Sequence, residues 1–392
     1  MTAETAQQFE ALEAQAQRLL GVFTRAGYEY VAPAIIQPAG LFLDVIGEAL
    51  RARTYVFTDP EGEELCLRPD LTVPTCRLHL ARHADGAAPA RYCYNGPAFR
   101  YQPGGSNGAH PREFRQAGIE SFAAADREAD DTAVLALIIE ALREAGLTQF
   151  GIRIGDLSLF AALLNALPMP ERWRWRLKHH FWRPEAFRAE LQRLTSGGAG
   201  RAQGLPRELV DRIDPDDPSS AESLVEAHLA DAGLELIGTR TLAEIAGRIR
   251  AEVADTRETP LPQATARLIE RYIAIRTPAR SAAGEIARLA REQSLDLSAG
   301  LDSFQRRLSL LDGAGIDTAG LQFSAEFGRN LEYYTAFVFE IATPRLGAAS
   351  PIAGGGRYDS LLTAAGAPRP VPAVGSSIHT ERLLDALNGG AA

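Results

Sequence analysis

A guanidinium, a carboxamide and a carboxylate fall close together in the stretch YCYNGPAFRYQPGGSNGAHPREFRQAGIESF, from Tyr92 to Phe122. Such a set suits a ligand that is both cationic and carboxylated, such as an amino acid. The pattern predicts a strand over 91–95, a turn at Gly96-Pro97, and a second strand carrying Phe99 and Arg100. A Gly/Ser/Asn/Pro loop from Pro103 to Pro111 follows, and a returning strand holds Phe114, Gln116 and Glu120. Alternation puts Arg112 and Gln116 on one face of that strand. Glu120 shares the face only if no bulge interrupts the strand at Gly118. An ordinary amphipathic hairpin with a solvated face has the same pattern, so both readings stand on this stretch alone.

Four further stretches carry polar groups of the same kind. Arg68-Pro69-Asp70-Leu71-Thr72 ends a predicted hairpin strand. Gly328-Arg329-Asn330-Leu331-Glu332-Tyr333-Tyr334 lies between two predicted strands. Ala353-Gly354-Gly355-Gly356-Arg357-Tyr358-Asp359 follows about 25 residues later. Ala373 to Leu383, with Gly375, His379 and Arg382, comes near the end. Cys76, His79 and His83 share one helical face at a spacing that could hold a transition metal. No fourth ligand stands nearby, so a partly solvated helix face is expected there and no metal.

The elements that must position these residues are legible from periodicity. Phe9, Leu12, Leu19, Leu20 and Phe23 recur at helical spacing over 5–26, with Gly27 as the stop. A strand over 28–31 leads to Pro33. Hairpin strands over 54–58 and 64–67 flank the turn Asp59-Pro60-Glu61-Gly62. A helix over 127–146, a strand over 150–154 and a helix over 157–167 follow. Strands and helices mix without regular alternation, which predicts an α+β class with an antiparallel sheet flanked by helices. The composition then becomes wholly helical over 168–315, an insertion that splits the first domain into 1–167 and 316–392. Trp173, Trp175 and Trp182 are interleaved there with Arg172, Arg174, Arg176, Lys178 and Arg183. That could serve RNA, but tryptophans that pack and arginines that pair with acids are the expected use.

The whole chain has 392 residues, a formal charge of −9, 46% hydrophobic and 23% charged residues. That is a soluble globular composition of two or three domains, and its acidity argues against a dedicated nucleic-acid binder. Its three cysteines form no C-x-x-C, so neither a disulfide framework nor a zinc ribbon is expected. No signal peptide and no membrane span is expected, which fits a cytoplasmic protein.

Taken in order, these motifs resemble class II aminoacyl-tRNA synthetases in the histidyl-tRNA synthetase version. The first helix and strand resemble motif 1, Phe99-Arg100 to Glu120 motif 2, and Gly375 to Arg382 motif 3. Arg68 to Thr72, Arg329 to Tyr334 and Gly355 to Asp359 resemble the histidine-specific signatures. The resemblance implies that Asp70, Thr72 and Gln116 hold an α-ammonium and Arg329 a carboxylate. It implies that Glu120, Tyr334 and Tyr358 recognise an imidazole, with Arg100 and Tyr333 in the same pocket. Asp70 departs from the family's Glu by one methylene.

The nucleotide half departs further, although Arg100, Arg112 and Arg382 remain. Gln102 replaces the acid of F-R-x-E, and His379 replaces a glycine that gives the nucleotide room. Only nine residues follow Leu383, so an anticodon-binding domain is not expected. This combination resembles the regulatory-subunit family of ATP phosphoribosyltransferase. That implies no catalytic residues and no cofactor, a homodimer core, and a short-form ATP phosphoribosyltransferase catalytic subunit as partner. It also implies L-histidine as effector, with no tRNA and no membrane. An amino-acid adenylating enzyme or a shortened histidyl-tRNA synthetase is the alternative, and an RNA-binding module a third.

Overall fold

A computed structural model describes residues 5–40, 42, 52–102, 105, 111–181, 183–196, 206–233, 241–328 and 333–389. Arg329, Trp182 and most of the predicted loops at 103–111 and 197–206 lie outside the described residues. The chain divides into two compact units, Met1–Ala166 with Tyr272–Ala392, and Leu167–Arg271.

The strands of the first unit are β1 (Glu29–Tyr30), β2 (Ile36–Pro38), β3 (Tyr55–Thr58), β4 (Glu64–Leu67), β5 (Ala90–Phe99) and β6 (Glu113–Phe122). They continue as β7 (Gly151–Asp156), β8 (Arg276–Pro278), β9 (Gln322–Ser324), β10 (Phe337–Ala342), β11 (Ala353–Arg357) and β12 (Ala373–His379). Nine form one sheet in the order β1-β5-β6-β12-β11-β10-β7-β9-β8, and β2-β4-β3 form a smaller one. The large sheet is antiparallel except at β1·β5 and β7·β9, which are parallel. The α+β class with a helix-flanked antiparallel sheet therefore holds.

Register explains how this sheet makes a binding floor. Tyr94, Gly118, Ser377, Gly354, Glu340 and Arg153 stand side by side across β5, β6, β12, β11, β10 and β7. Two residues along, Glu120 faces Gly375, which in turn faces Gly356. Glycines stand in the middle of both rows, with Ser377 between Gly118 and Gly354, so much of the floor is backbone. Residues of opposite parity meet helices instead. Ser121 Oγ donates to Asp130 on the helix Arg127–Glu144 at 2.8 Å. The helix Ala6–Arg25, capped by Thr5, packs against that same helix.

Three local expectations change. The chain does not turn at Gly96-Pro97, because β5 runs straight through it. Pro97 lies beyond the two residues of β5 that pair with β1, so its missing N–H costs no ladder bond. Gly96 leaves room for Arg68, whose Nη2 would lie 2.5 Å from a Cβ there. The face bearing Cys76, His79 and His83 is solvated only at its end, where His83 is half-buried. Cys76 and His79 are buried, with His79 Nε2 3.2 Å from Gly86 O, and no metal cluster occurs among the described residues.

The third change is the end of the insertion, at Arg271 rather than 315. The segment beyond it contains a strand, β8, which pairs with β9. The helix Ser298–Gly313 also belongs to the first unit, and its Arg307 reaches Asp131 and Asp156 at 2.8 Å each. An amphipathic Ala/Arg/Leu helix has one composition whether it packs on helices or on a sheet, so composition could not find this boundary.

The second unit is helical, with Leu209, Ile213, Ala221, Val225, Ala246 and Val253 as a core cluster. Its charged centre is Asp255, fully buried at 0% exposure. The carboxylate accepts from Trp173 Nε1 at 2.6 Å, Arg172 Nε at 2.7 Å, Arg193 Nη2 at 3.0 Å and Arg176. The expected use of this segment is therefore met by Trp173, Arg172 and Arg176. Trp175 differs: it is 62% exposed and stacks on His179.

Candidate functional site

A cavity of about 610 Å³ opens on the glycine floor. Of the residues expected to bind a ligand, Asp70, Thr72, Arg100, Gln116, Tyr333, Tyr334, His379 and Arg382 line it. Glu120 and Tyr358 lie beneath it. Gln102 and Arg112 are turned to other work. Gln102 accepts from Arg53 at 2.6 Å and donates to Pro111 O at 3.1 Å, while the Arg112 guanidinium sits 6.0 Å from the Tyr101 ring.

One end of the cavity is built from the segment after β4. Buried Arg68 donates to Pro33 O at 2.5 Å and Pro97 O at 2.8 Å, which pins the turn that presents Asp70. Asp70 Oδ1 accepts from Val73 N at 3.2 Å, and Oδ2 is buried without a hydrogen-bond partner. Burial raises the Asp70 pKa, against the pull of Arg100. Gln116 donates from Nε2 to Ser377 Oγ at 3.3 Å, leaving its buried Oε1 without a partner as well. A buried acceptor without a donor is costly, and an ammonium supplies three donors. This end of the cavity is therefore complementary to a primary amine.

Glu120 is the second buried acid. Tyr94 donates to its Oε1 at 2.9 Å, and Tyr358 donates to Oε2. The second histidine motif divides its work by alternation. Arg357 turns away to Asp131 at 2.8 Å and Asp359 at 2.9 Å, so that Tyr358 points the other way, to Glu120. Burial pushes the Glu120 pKa up to about 7, although Tyr358, Thr72 and Tyr94 favour the anion. A carboxyl whose pKa is raised on folding binds more protons folded than unfolded, so its contribution falls as pH rises through that interval. Glu120→Gln should therefore be more stable than the parent at pH 8 and melt higher, by up to about 3 kcal/mol in unfolding free energy, since each pKa unit is worth about 1.4. The advantage should vanish near pH 4.5. A lower melting temperature for the variant at pH 8 would refute this account.

Beside Gln116, its register partner, His379 stacks on the Phe114 ring with centroids 4.9 Å apart and planes at 29°. The Arg100 guanidinium lies 5.0 Å from the same ring. Arg382 donates to Pro351 O at 2.8 Å. Sequence reasoning missed Arg53, Arg153, Phe327 and Glu340, which also line the cavity, and Tyr94 beneath it. Arg153 and Glu340 pair at 2.7 Å, with the guanidinium 4.3 Å from the Phe327 ring. The two are 187 residues apart in sequence, and only strand register joins them. Tyr94 did carry a signal: it is two residues from Gly96, on the parity that faces Gly118.

The chain matches the histidyl-tRNA synthetase family over residues 4–209 and 220–383. It is 39% identical over 356 residues to an ATP phosphoribosyltransferase regulatory subunit of Brucella anthropi, covering 91% of this chain and 92% of that one. The corresponding protein of Brucella canis is 38% identical over the same length and coverage. Among solved structures, an ATP phosphoribosyltransferase regulatory subunit/histidyl-tRNA synthetase from Bacillus halodurans superposes with a TM-score of 0.67 at 22% identity. That superposition covers 99% of this chain and 82% of the other. A histidine–tRNA ligase subunit from Alicyclobacillus acidocaldarius gives 0.60 at 22%, covering 100% and 97%. With a class II synthetase-like sheet and a relative at this identity across nearly its whole length, the chain belongs to the ATP phosphoribosyltransferase regulatory subunits of histidine biosynthesis, a histidyl-tRNA synthetase-like family.

Proposed function

We propose that the cavity is an effector site for L-histidine. In this reading the chain activates a short-form ATP phosphoribosyltransferase catalytic subunit and makes it sensitive to feedback inhibition by histidine. The observation that carries the reading is the pair of buried, unpartnered acceptors, Asp70 Oδ2 and Gln116 Oε1, in a cavity that also holds Arg100, Arg153 and Arg382. An α-amino acid brings the matching ammonium and carboxylate. Arg329 is assigned to the carboxylate, and Glu120, Tyr334 and Tyr358 to the imidazole. The chain is taken to act as a cytoplasmic homodimer core, joined through its first helix and the strand after it, in a symmetric hetero-oligomer.

An adenylating enzyme is the second reading, favoured in the sequence by the retained Arg100, Arg112, Arg329 and Arg382, of which Arg100 and Arg382 line the cavity. Against it stands His379, which lines the cavity at the position where a glycine would leave a nucleotide room. The two readings part in one experiment. Histidine should inhibit the reconstituted complex with the catalytic subunit, and the chain by itself should give no histidine-dependent pyrophosphate exchange with ATP. Exchange at synthetase-like rates would replace the regulatory reading with the enzymatic one.

A further inference from the structure

Glu120 lies beneath the cavity, yet it reaches the floor at one point. A Cβ built on Gly375 would stand 1.6 Å from Glu120 Oε2, and Gly375 lines the cavity. The carboxylate thus occupies the space a side chain on β12 would take. On the other side, Tyr94 and Gly118 are register partners. The Tyr94 hydroxyl crosses the bare Gly118 backbone to reach Glu120, two residues further along, as a diagonal cross-strand neighbour. A Cβ on Gly118 would come within 2.6 Å of that hydroxyl. Two glycines therefore clear the way for one contact, and the ring behind it is wedged among Leu71, Ala98 and Phe114.

We propose that Tyr94 is a positioning residue of the effector site, acting through Glu120: its hydroxyl, passing over Gly118, aims the carboxylate at the cavity floor. The inference rests on histidine binding in this cavity. It adds a residue outside every motif that suggested the site, and it makes recognition of the ligand's ring depend on pH. A donor to the ionised form holds a carboxyl's pKa down, so removing it raises that pKa. The ionisable groups around Glu120 are Tyr94 on β5, Tyr358 after β11, Cys76 on the helix Thr72–Arg82, and Asp70, Tyr333 and Tyr28. Tyr94→Phe deletes one hydroxyl and leaves the ring packing in place.

The test compares histidine affinity of Tyr94→Phe and the parent by calorimetry from pH 7 to 9, where the ligand's imidazole is neutral. The variant should bind about three- to tenfold more weakly at pH 7, as expected for a pKa rise of about one unit, and converge to within about twofold by pH 9. In a Glu120→Gln background, Tyr94→Phe should lose this pH dependence. A deficit equal at every pH would make Tyr94 merely structural and overturn the proposal, as would unchanged affinity at pH 7. A carboxyl-carbon NMR titration of Glu120 in the ligand-free chain separates the two layers. A Glu120 midpoint raised in Tyr94→Phe, with no histidine binding by the parent, would retain the positioning contact and remove the effector reading. An unmoved midpoint would remove the positioning contact alone.

Discussion

Asp70→Asn should weaken histidine binding by about ten- to a hundredfold. The substitution keeps the shape and the Oδ1 acceptor for Val73 N, so the turn after β4 should survive. It removes the charge from the one carboxylate oxygen of Asp70 that the protein leaves unpartnered. A hydrogen bond between charged groups in a buried site is worth about 1.5–3 kcal/mol, and each 1.4 kcal/mol is tenfold. Asparagine can also turn its amide NH₂ toward the ammonium, a donor facing donors. The natural acid has its own pH limit. Burial raises the Asp70 pKa, so acidification should neutralise it earlier than an ordinary aspartate and weaken binding with it. Calorimetric titration with histidine measures both effects. Affinity within threefold of the parent would remove Asp70 from the site and with it the assignment of the ammonium.

The second large effect concerns the helical unit. Asp255→Ala should destabilise that unit by about 3 kcal/mol, the low end of the cost of breaking a buried ion pair. The low end applies because Arg176 and Arg193 each keep Glu190 as a partner, at 2.8 Å, and all three arginines are partly solvated. Trp173 Nε1, by contrast, loses an acceptor inside the core. Against the penalty of burial, Trp173, Arg172, Arg176 and Arg193 hold the Asp255 pKa below its ordinary value. A depressed carboxylate adds stability above its unfolded pKa and loses it as pH falls, so the parent itself should weaken below about pH 4. The measurement is simple, because Trp173, Trp175 and Trp182 all lie in this unit. Tryptophan emission in a urea titration therefore reads its unfolding. A change of less than about 1 kcal/mol would mean that the cluster is ordinary surface pairing.

Local chemistry decided which parts of this protein could be read in advance. The helix over 6–25 has its Thr5 cap and Gly27 stop in the sequence, and the β3–β4 turn its Pro and Gly. Parity along β6 was legible too. Gln116 and Glu120 share a face because β6 pairs without interruption from Glu113 to Phe122. Short motifs located most of the cavity wall because each is a local segment whose backbone fixes where a few side chains point.

Tertiary structure decided the rest. Whether Gly96-Pro97 turns depends on whether β6 continues to pair beside it, which no local pattern contains. Cys76 and His79 alternate like a half-wet helix face, and only the sheet packed against them makes them core. The end of the insertion was invisible because helix composition records an apolar stripe and not its partner. Arg153 and Glu340 join the site through strand register alone, across 187 residues. Sequence by itself picked out Asp70, Thr72, Gln116, Tyr333 and Tyr334, which line one cavity. The fold decided that the Glu120 carboxylate would lie against the glycine floor, because two glycines on neighbouring strands leave the space that its carboxylate and the Tyr94 hydroxyl share.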